Sequence, residues 1–194
     1  MVIYKKLNNY FLPALFFLIL SLLLIFAWFK GGHFYGGGDV GLPTYNPMRI
    51  LQLARYIWWE AIAPGFLIPH TITSITLYFF LSFLQLLGMG PLGIQAVLFC
   101  TLLFLMGFGM YLLALSIIGQ DKKIYATIAG LFYMFNPYMM TQIWHRFVFT
   151  SFFFVASIPF LILFWRLWIK SGNYLYLLYF LLVNLLASYM FGTI

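Results

Sequence analysis

PHTITSITLYFFLSFLQLL, residues 69–87, is nineteen residues long and carries no Lys, Arg, Asp or Glu. A helix needs ~20 apolar residues to cross the hydrocarbon core of a bilayer, so its length suits a crossing. Its pattern does not. Thr71, Ser74, Tyr78, Ser82 and Gln85 recur at steps of 3, 4, 4 and 3, which lays one polar stripe along a helix. Whether this segment crosses decides the side on which everything after it falls. If it crosses, Lys5, Lys6 and Arg146 are inside, and Lys30, Arg49, Arg55, Lys122, Lys123, Arg166 and Lys170 are outside: three cations against seven. If it does not, Lys5, Lys6, Lys122, Lys123, Arg166 and Lys170 are inside, and Lys30, Arg49, Arg55 and Arg146 are outside: six against four. Cytoplasmic loops carry the excess of Lys and Arg. The expectation is therefore an interfacial or re-entrant helix over residues 69–87, its stripe turned toward protein or water.

The bilayer itself follows from composition. The chain is 65% hydrophobic and 7% charged, with a mean hydropathy of +1.02. Soluble domains run near 25% charged, which excludes a soluble fold. The 24 Phe, 14 Tyr and 6 Trp suit a lipid-facing body with interfacial anchors. The net charge of +7 does not point to nucleic acid, because no basic run exceeds two residues. The single Cys100 lies in an apolar run, excludes an intrachain disulfide and reads as a small packed hydrophobe.

Upstream, residues 11–29 form an uncharged run after Lys5 and Lys6, read as an uncleaved first span with a cytoplasmic N-terminus. A cleaved leader would have a shorter apolar region ending in small residues, whereas this run ends Ala27-Trp28-Phe29-Lys30. The wettest stretch follows: GGHFYGGGDVGLPTYNPMRILQLARYIWWEAIAPG, residues 31–65, with two of the three acids, Asp39 and Glu60, and one of three histidines, His33. The triplet at 36–38 resists helix and strand because glycine is costly to order. Residues 48–62 have helical apolar spacing, with Asn46 as cap and Pro47 at the first position, and read as an interfacial helix. Downstream, residues 94–118, 124–140, 147–165 and 174–194 read as further spans, with GQDKK at 119–123 as a cytoplasmic turn and TQIWHR at 141–146 as a second outer loop. The expected fold is an all-α integral membrane protein of about five transmembrane helices plus two interfacial helices in the first, extracytoplasmic loop. The chain stops inside an apolar run, LASYMFGTI, which reads as the front of a longer protein.

Chemistry has few places to reside. Asp39 follows three glycines, which permit close backbone approach by a bulky substrate, and a carboxylate there can take a proton from a hydroxyl or bind a cation. Its bland reading is a solvated loop aspartate. Glu60 is a second carboxylate available to bind substrate, or a partner of Arg55 or Tyr56, or a headgroup contact. His145 and Arg146 suit a phosphate-bearing substrate, since arginine binds phosphate oxygens bidentately, or serve as an interfacial anchor. Arg49 and Arg55 stand on the same outer side. His33 and His70 read as structural. No His/Asp/Glu grouping has metal-ligand spacing, so no metal or other cofactor is indicated, and there is no Walker, GxSxG or HExxH motif.

GGGDVGLPTYNP at 36–47 and FYMFNPYMMTQIWHRF at 132–147 resemble the outer loops of the GT-C superfamily of polyprenyl-phosphate-sugar glycosyltransferases. The nearest flavour is the membrane half of arabinofuranosyltransferase D-like proteins and their relatives. The resemblance implies a cell-membrane, multi-pass enzyme moving a sugar from a polyprenyl-phosphate donor to an outer-face acceptor. Asp39 would take the place of the acid that deprotonates or orients the acceptor. His145 and Arg146, with help from Arg49 or Arg55, would meet the donor. Many members carry a second acid in the second outer loop, and TQIWHR has none. Two other readings stay open: a lipid-linked sugar flippase, for which the uncharged Gln95, Asn136 and Asn184 are the nearest mid-membrane polar residues, and a non-catalytic membrane subunit.

Overall fold

The computed structural model describes residues 2–35, 43–56, 58–59, 66–67, 73–146 and 148–191, with side chains from residue 10 onward outside the two short strands. Among these the chain is helical apart from one small antiparallel pairing. Three helices are long and apolar enough to cross a membrane: Tyr10–Phe29 within α1 (Val2–Phe29), α4 (Pro91–Ile118) and α7 (Phe149–Ser171). At 1.5 Å per residue, the 28 residues of α4 reach about 42 Å and the 23 of α7 about 35 Å, against a hydrocarbon core of ~30 Å. Two shorter apolar helices, α3 (Ile75–Leu86) and α8 (Tyr174–Leu186), have 12 and 13 residues, and α5 (Lys123–Met134) has 12.

Contacts sort the helix ends into two ends of one bundle. At the first, Tyr10 Oη donates to Gln120 Oε1 at 3.1 Å, and an Arg166 nitrogen donates to the Ser116 carbonyl at 3.4 Å. At the second, Trp28 meets Phe99, and Phe99 meets Phe149. The chain therefore leaves α1 and enters α4 at the same end of the bundle. Between them lies α3. Its first turn bonds the end of α8, Thr76 Oγ1 donating to the Leu185 carbonyl at 3.3 Å, and its last turn leads within a few residues to the start of α4. Its first turn thus lies beside the end of α8 and its last turn near the second end of the bundle.

The polar stripe of α3 faces protein. Ser74, Tyr78 and Ser82 are buried with Leu77, Leu81 and Leu84, while Phe79, Phe80, Phe83 and Leu86 are exposed. A helix on a water-soluble surface has the opposite arrangement. This one offers phenylalanines to its surroundings and hydroxyls to its partners, as a helix lying in lipid must.

Several boundaries differ from the sequence reading. The helix expected over residues 48–62 is α2 (Pro47–Leu53), closed by the Ala54 N–H donating to the Ile50 carbonyl. Beyond it Trp58–Trp59 (β1) pairs antiparallel with Phe66–Leu67 (β2), a partnership across sequence that helical periodicity cannot register. The span expected over 124–140, with Asn136-Pro137 marking its upper end, stops at Met134. Asn136 then caps α6 (Pro137–Met139), its Oδ1 accepting from the Met139 N–H at 3.0 Å, with Pro137 at the first position. The helix α7 runs on to Ser171, where Gly172 at φ +66° takes the left-handed conformation that suits glycine. The last helix, α8, stops at Leu186 and is followed by a 3₁₀ turn, Ser188–Phe191.

The hub is α4, which packs on α1, α5 and α7. Its tightest seam is with α5. A Cβ on Gly130 would stand 2.7 Å from the Gly107 carbonyl oxygen, and the Phe17 ring fills the remaining space. Small residues allow such approach where no water is available to drive burial. Some helix hydroxyls are satisfied locally, Ser21, Thr101 and Thr127 each donating to the carbonyl four residues before, whereas the buried Ser82 and Tyr111 hydroxyls have no described partner.

Candidate functional site at the loop end of the bundle

Asp39 and Glu60, the two carboxylates of the first loop, and His70 lie outside the described residues. What is described is how the flanks of the Asp39 segment are held. On the near side, Gln95 in the second turn of α4 is fully buried and grips the backbone of Tyr35 twice. The Tyr35 N–H donates to Gln95 Oε1 at 3.0 Å, and Gln95 Nε2 donates to the Tyr35 carbonyl. The Tyr35 hydroxyl in turn donates to the Trp28 carbonyl, in the last turn of α1. On the far side, Pro43, Thr44 and Pro47 are buried, and the Met48 N–H donates to Gln85 Oε1 of α3 at 2.9 Å. Two glutamine side chains thus substitute for backbone partners on either side of residues 36–42. Unmet backbone groups are expensive where water is excluded, so both contacts anchor the chain firmly.

His145 and Arg146 are not in a loop. The six residues Met140–His145 form a π-helical turn continuing α6, and Arg146 caps it. A π turn admits an extra residue into a helix and is frequent at functional sites. Here it turns Trp144 inward. Trp144 stacks edge-on against Trp28 at 5.1 Å and against Phe135 at 5.3 Å, and its buried Nε1 has no described partner. His145 and Arg146 are exposed beside it, and an Arg146 guanidinium nitrogen donates to Gln142 Oε1 at 3.3 Å. Trp28, Tyr35, Phe29, Phe99 and Phe149 complete an aromatic floor beneath this end.

Arg49 and Arg55 are exposed too, one inside α2 and one just beyond it. That helix seats on α3, whereas the π turn seats on α6 and α7. No described hydrogen bond or ring contact joins either arginine to His145 or Arg146. The sequence-derived residues therefore share one end of the bundle but form two separate groups. His33 is exposed at the same end. Gln85, Gln95, Tyr35 and Trp144 were not singled out as site residues from sequence. The signal available was the polar stripe that includes Gln85 and the isolated polar Gln95.

Below this end, between α4, α7 and α8, runs an apolar groove of about 340 Å³ lined by Leu102, Phe153, Ser157, Phe160, Tyr179 and Leu186. No group of three or more His, Cys, Asp or Glu residues that could hold a metal occurs among the described residues. Comparison with family models, with curated proteins and with solved structures returns no match.

Proposed function

We propose that this chain is, or belongs to, a membrane glycosyltransferase of GT-C type that moves a sugar from a polyprenyl-phosphate donor to an outer-face acceptor. The observation that carries this reading is the double glutamine anchorage, which fixes both flanks of the Asp39 segment at the bundle end that also presents His145 and Arg146. In this reading the bundle crosses the cell membrane five times, through α1, α4, α5 with its π-turned continuation, α7 and α8. The N-terminus is cytoplasmic and the loop end extracytoplasmic. Asp39 accepts the proton of the acceptor hydroxyl as the sugar bond forms. His145 and Arg146 hold the donor phosphate, and Arg49 or Arg55 approaches from the α2 seat. The groove between α4, α7 and α8 supplies an apolar path for the prenyl tail, and α3 lies along the lipid boundary beside it.

The test is transfer of radiolabelled sugar from a polyprenyl-phosphate donor in membranes holding the full-length protein. A positioned general base contributes roughly 10²–10⁴-fold to rate, so Asp39→Asn is expected to lower transfer by at least about a hundredfold at unchanged protein level. Unchanged turnover removes Asp39 from the chemistry, and absence of transfer by the unaltered protein removes the reading.

A further inference from the structure

The opposite end of the bundle carries a feature that sugar transfer does not use. Along α7, Ile162, Trp165, Arg166, Ile169 and Lys170 recur at helical spacing, and together with Ile117 of α4 they line a cleft of about 420 Å³ between the last turns of the two helices. The isoleucines and Trp165 are exposed, and Trp165 is held in place by Trp168 at 4.9 Å and Phe180 at 5.6 Å. Arg166 and Lys170 stand one turn apart at the cleft's outer edge, both exposed. Arg166 leans over the end of α4, donating to the Ser116 carbonyl, one of the last-turn carbonyls that a helix leaves unpaired. That partner is neutral, so the guanidinium charge stays uncompensated. The only acid among the described residues, Asp121, lies in the turn between α4 and α5 and forms no ion pair with either cation.

An apolar cleft facing the bilayer, with two unpaired cations at its headgroup edge, is complementary to one kind of occupant. We infer that this cleft binds a single anionic phospholipid, its phosphate between Arg166 and Lys170 and an acyl chain against Ile117 and Ile162. Basic pockets between membrane helices select anionic headgroups in this way, and the leaflet on the charged side of a membrane is rich in them. Trp165 supplies the interfacial wall at the junction of tail and headgroup. The inference is independent of sugar transfer.

Native mass spectrometry of the purified chain in neutral detergent tests it, titrating phosphatidylglycerol, phosphatidylcholine and inorganic phosphate separately. Two surface cations at about 1 kcal/mol each correspond to roughly thirtyfold preference for phosphatidylglycerol over phosphatidylcholine. Arg166→Gln with Lys170→Gln should abolish that preference, and Lys122→Gln with Lys123→Gln, the same charge change at the same end, should preserve it. Ile117→Trp fills the cleft with both cations intact and should also abolish it, which decides the matter if the double variant misfolds. Three results overturn the site: equal affinity for the two lipids, equal loss in the two charge-matched variants, or phosphatidylglycerol binding undiminished by Ile117→Trp. Competition by inorganic phosphate as effective as by the lipid would make it an ion site instead.

Discussion

Gln95 and Gly130 show how single residues hold this molecule together where the hydrophobic effect is weak. Gln95→Leu would remove both hydrogen bonds to the Tyr35 backbone, and each buried group left unmet costs about 1–3 kcal/mol. Hydrogen exchange across residues 32–35 is expected to speed up more than tenfold, with Gln95→Glu, which keeps the acceptor and loses the donor, in between. Unaltered exchange would mean that the clamp does not hold the loop. Gly130→Ala drives a methyl group against a backbone oxygen that cannot move aside. Thermal unfolding in detergent should show a loss of about 1–3 kcal/mol, partly recovered by adding Phe17→Leu, which vacates the seam. Neither role was legible in the sequence. Gln95 read only as an isolated polar residue and Gly130 carried no signal, because the partners of both lie far away along the chain.

At the scale of elements, what was legible followed from periodicity and charge. The stripe of residues 69–87 gave the buried face of α3: Ser74, Tyr78 and Ser82 have the orientation that the stripe implied. Helix ends were less legible. Apolar spacing continues past Leu53, yet α2 stops there, since Trp58–Trp59 finds a strand partner instead. The Asn136-Pro137 break was visible, but the π turn after it was not, because an extra residue in a helix is set by what Trp144 packs against. The arrangement of ends makes a labelling prediction. Cysteines at positions 33, 56 and 145 should react with an impermeant maleimide from one side of the membrane, and cysteines at 121 and 172 from the other only. Labelling of position 145 together with 121 would place a crossing wrongly.

For the whole molecule, charge and fold divide the bundle into two unlike ends. One gathers the turns that hold Lys122, Lys123 and Lys170. The other gathers glutamine-anchored loops, a π turn and an aromatic floor. The sequence named candidate residues, but the proposed base falls outside the described residues and the cations form two groups at the second end. The joint between α3 and the turn after α8 has one more consequence. Ser188 Oγ donates to the Thr73 carbonyl across 115 positions of sequence, and Tyr189 is buried beneath α3 with its phenol pushed up by that burial. At about 5–20 residues per second, a ribosome delivers Ser188 roughly 6–23 s after Thr73. During that interval the phenylalanine-faced helix has emerged but lacks its final seat. The contact that seats the first turn of α3 is therefore made only after that interval, late in synthesis relative to the helix itself.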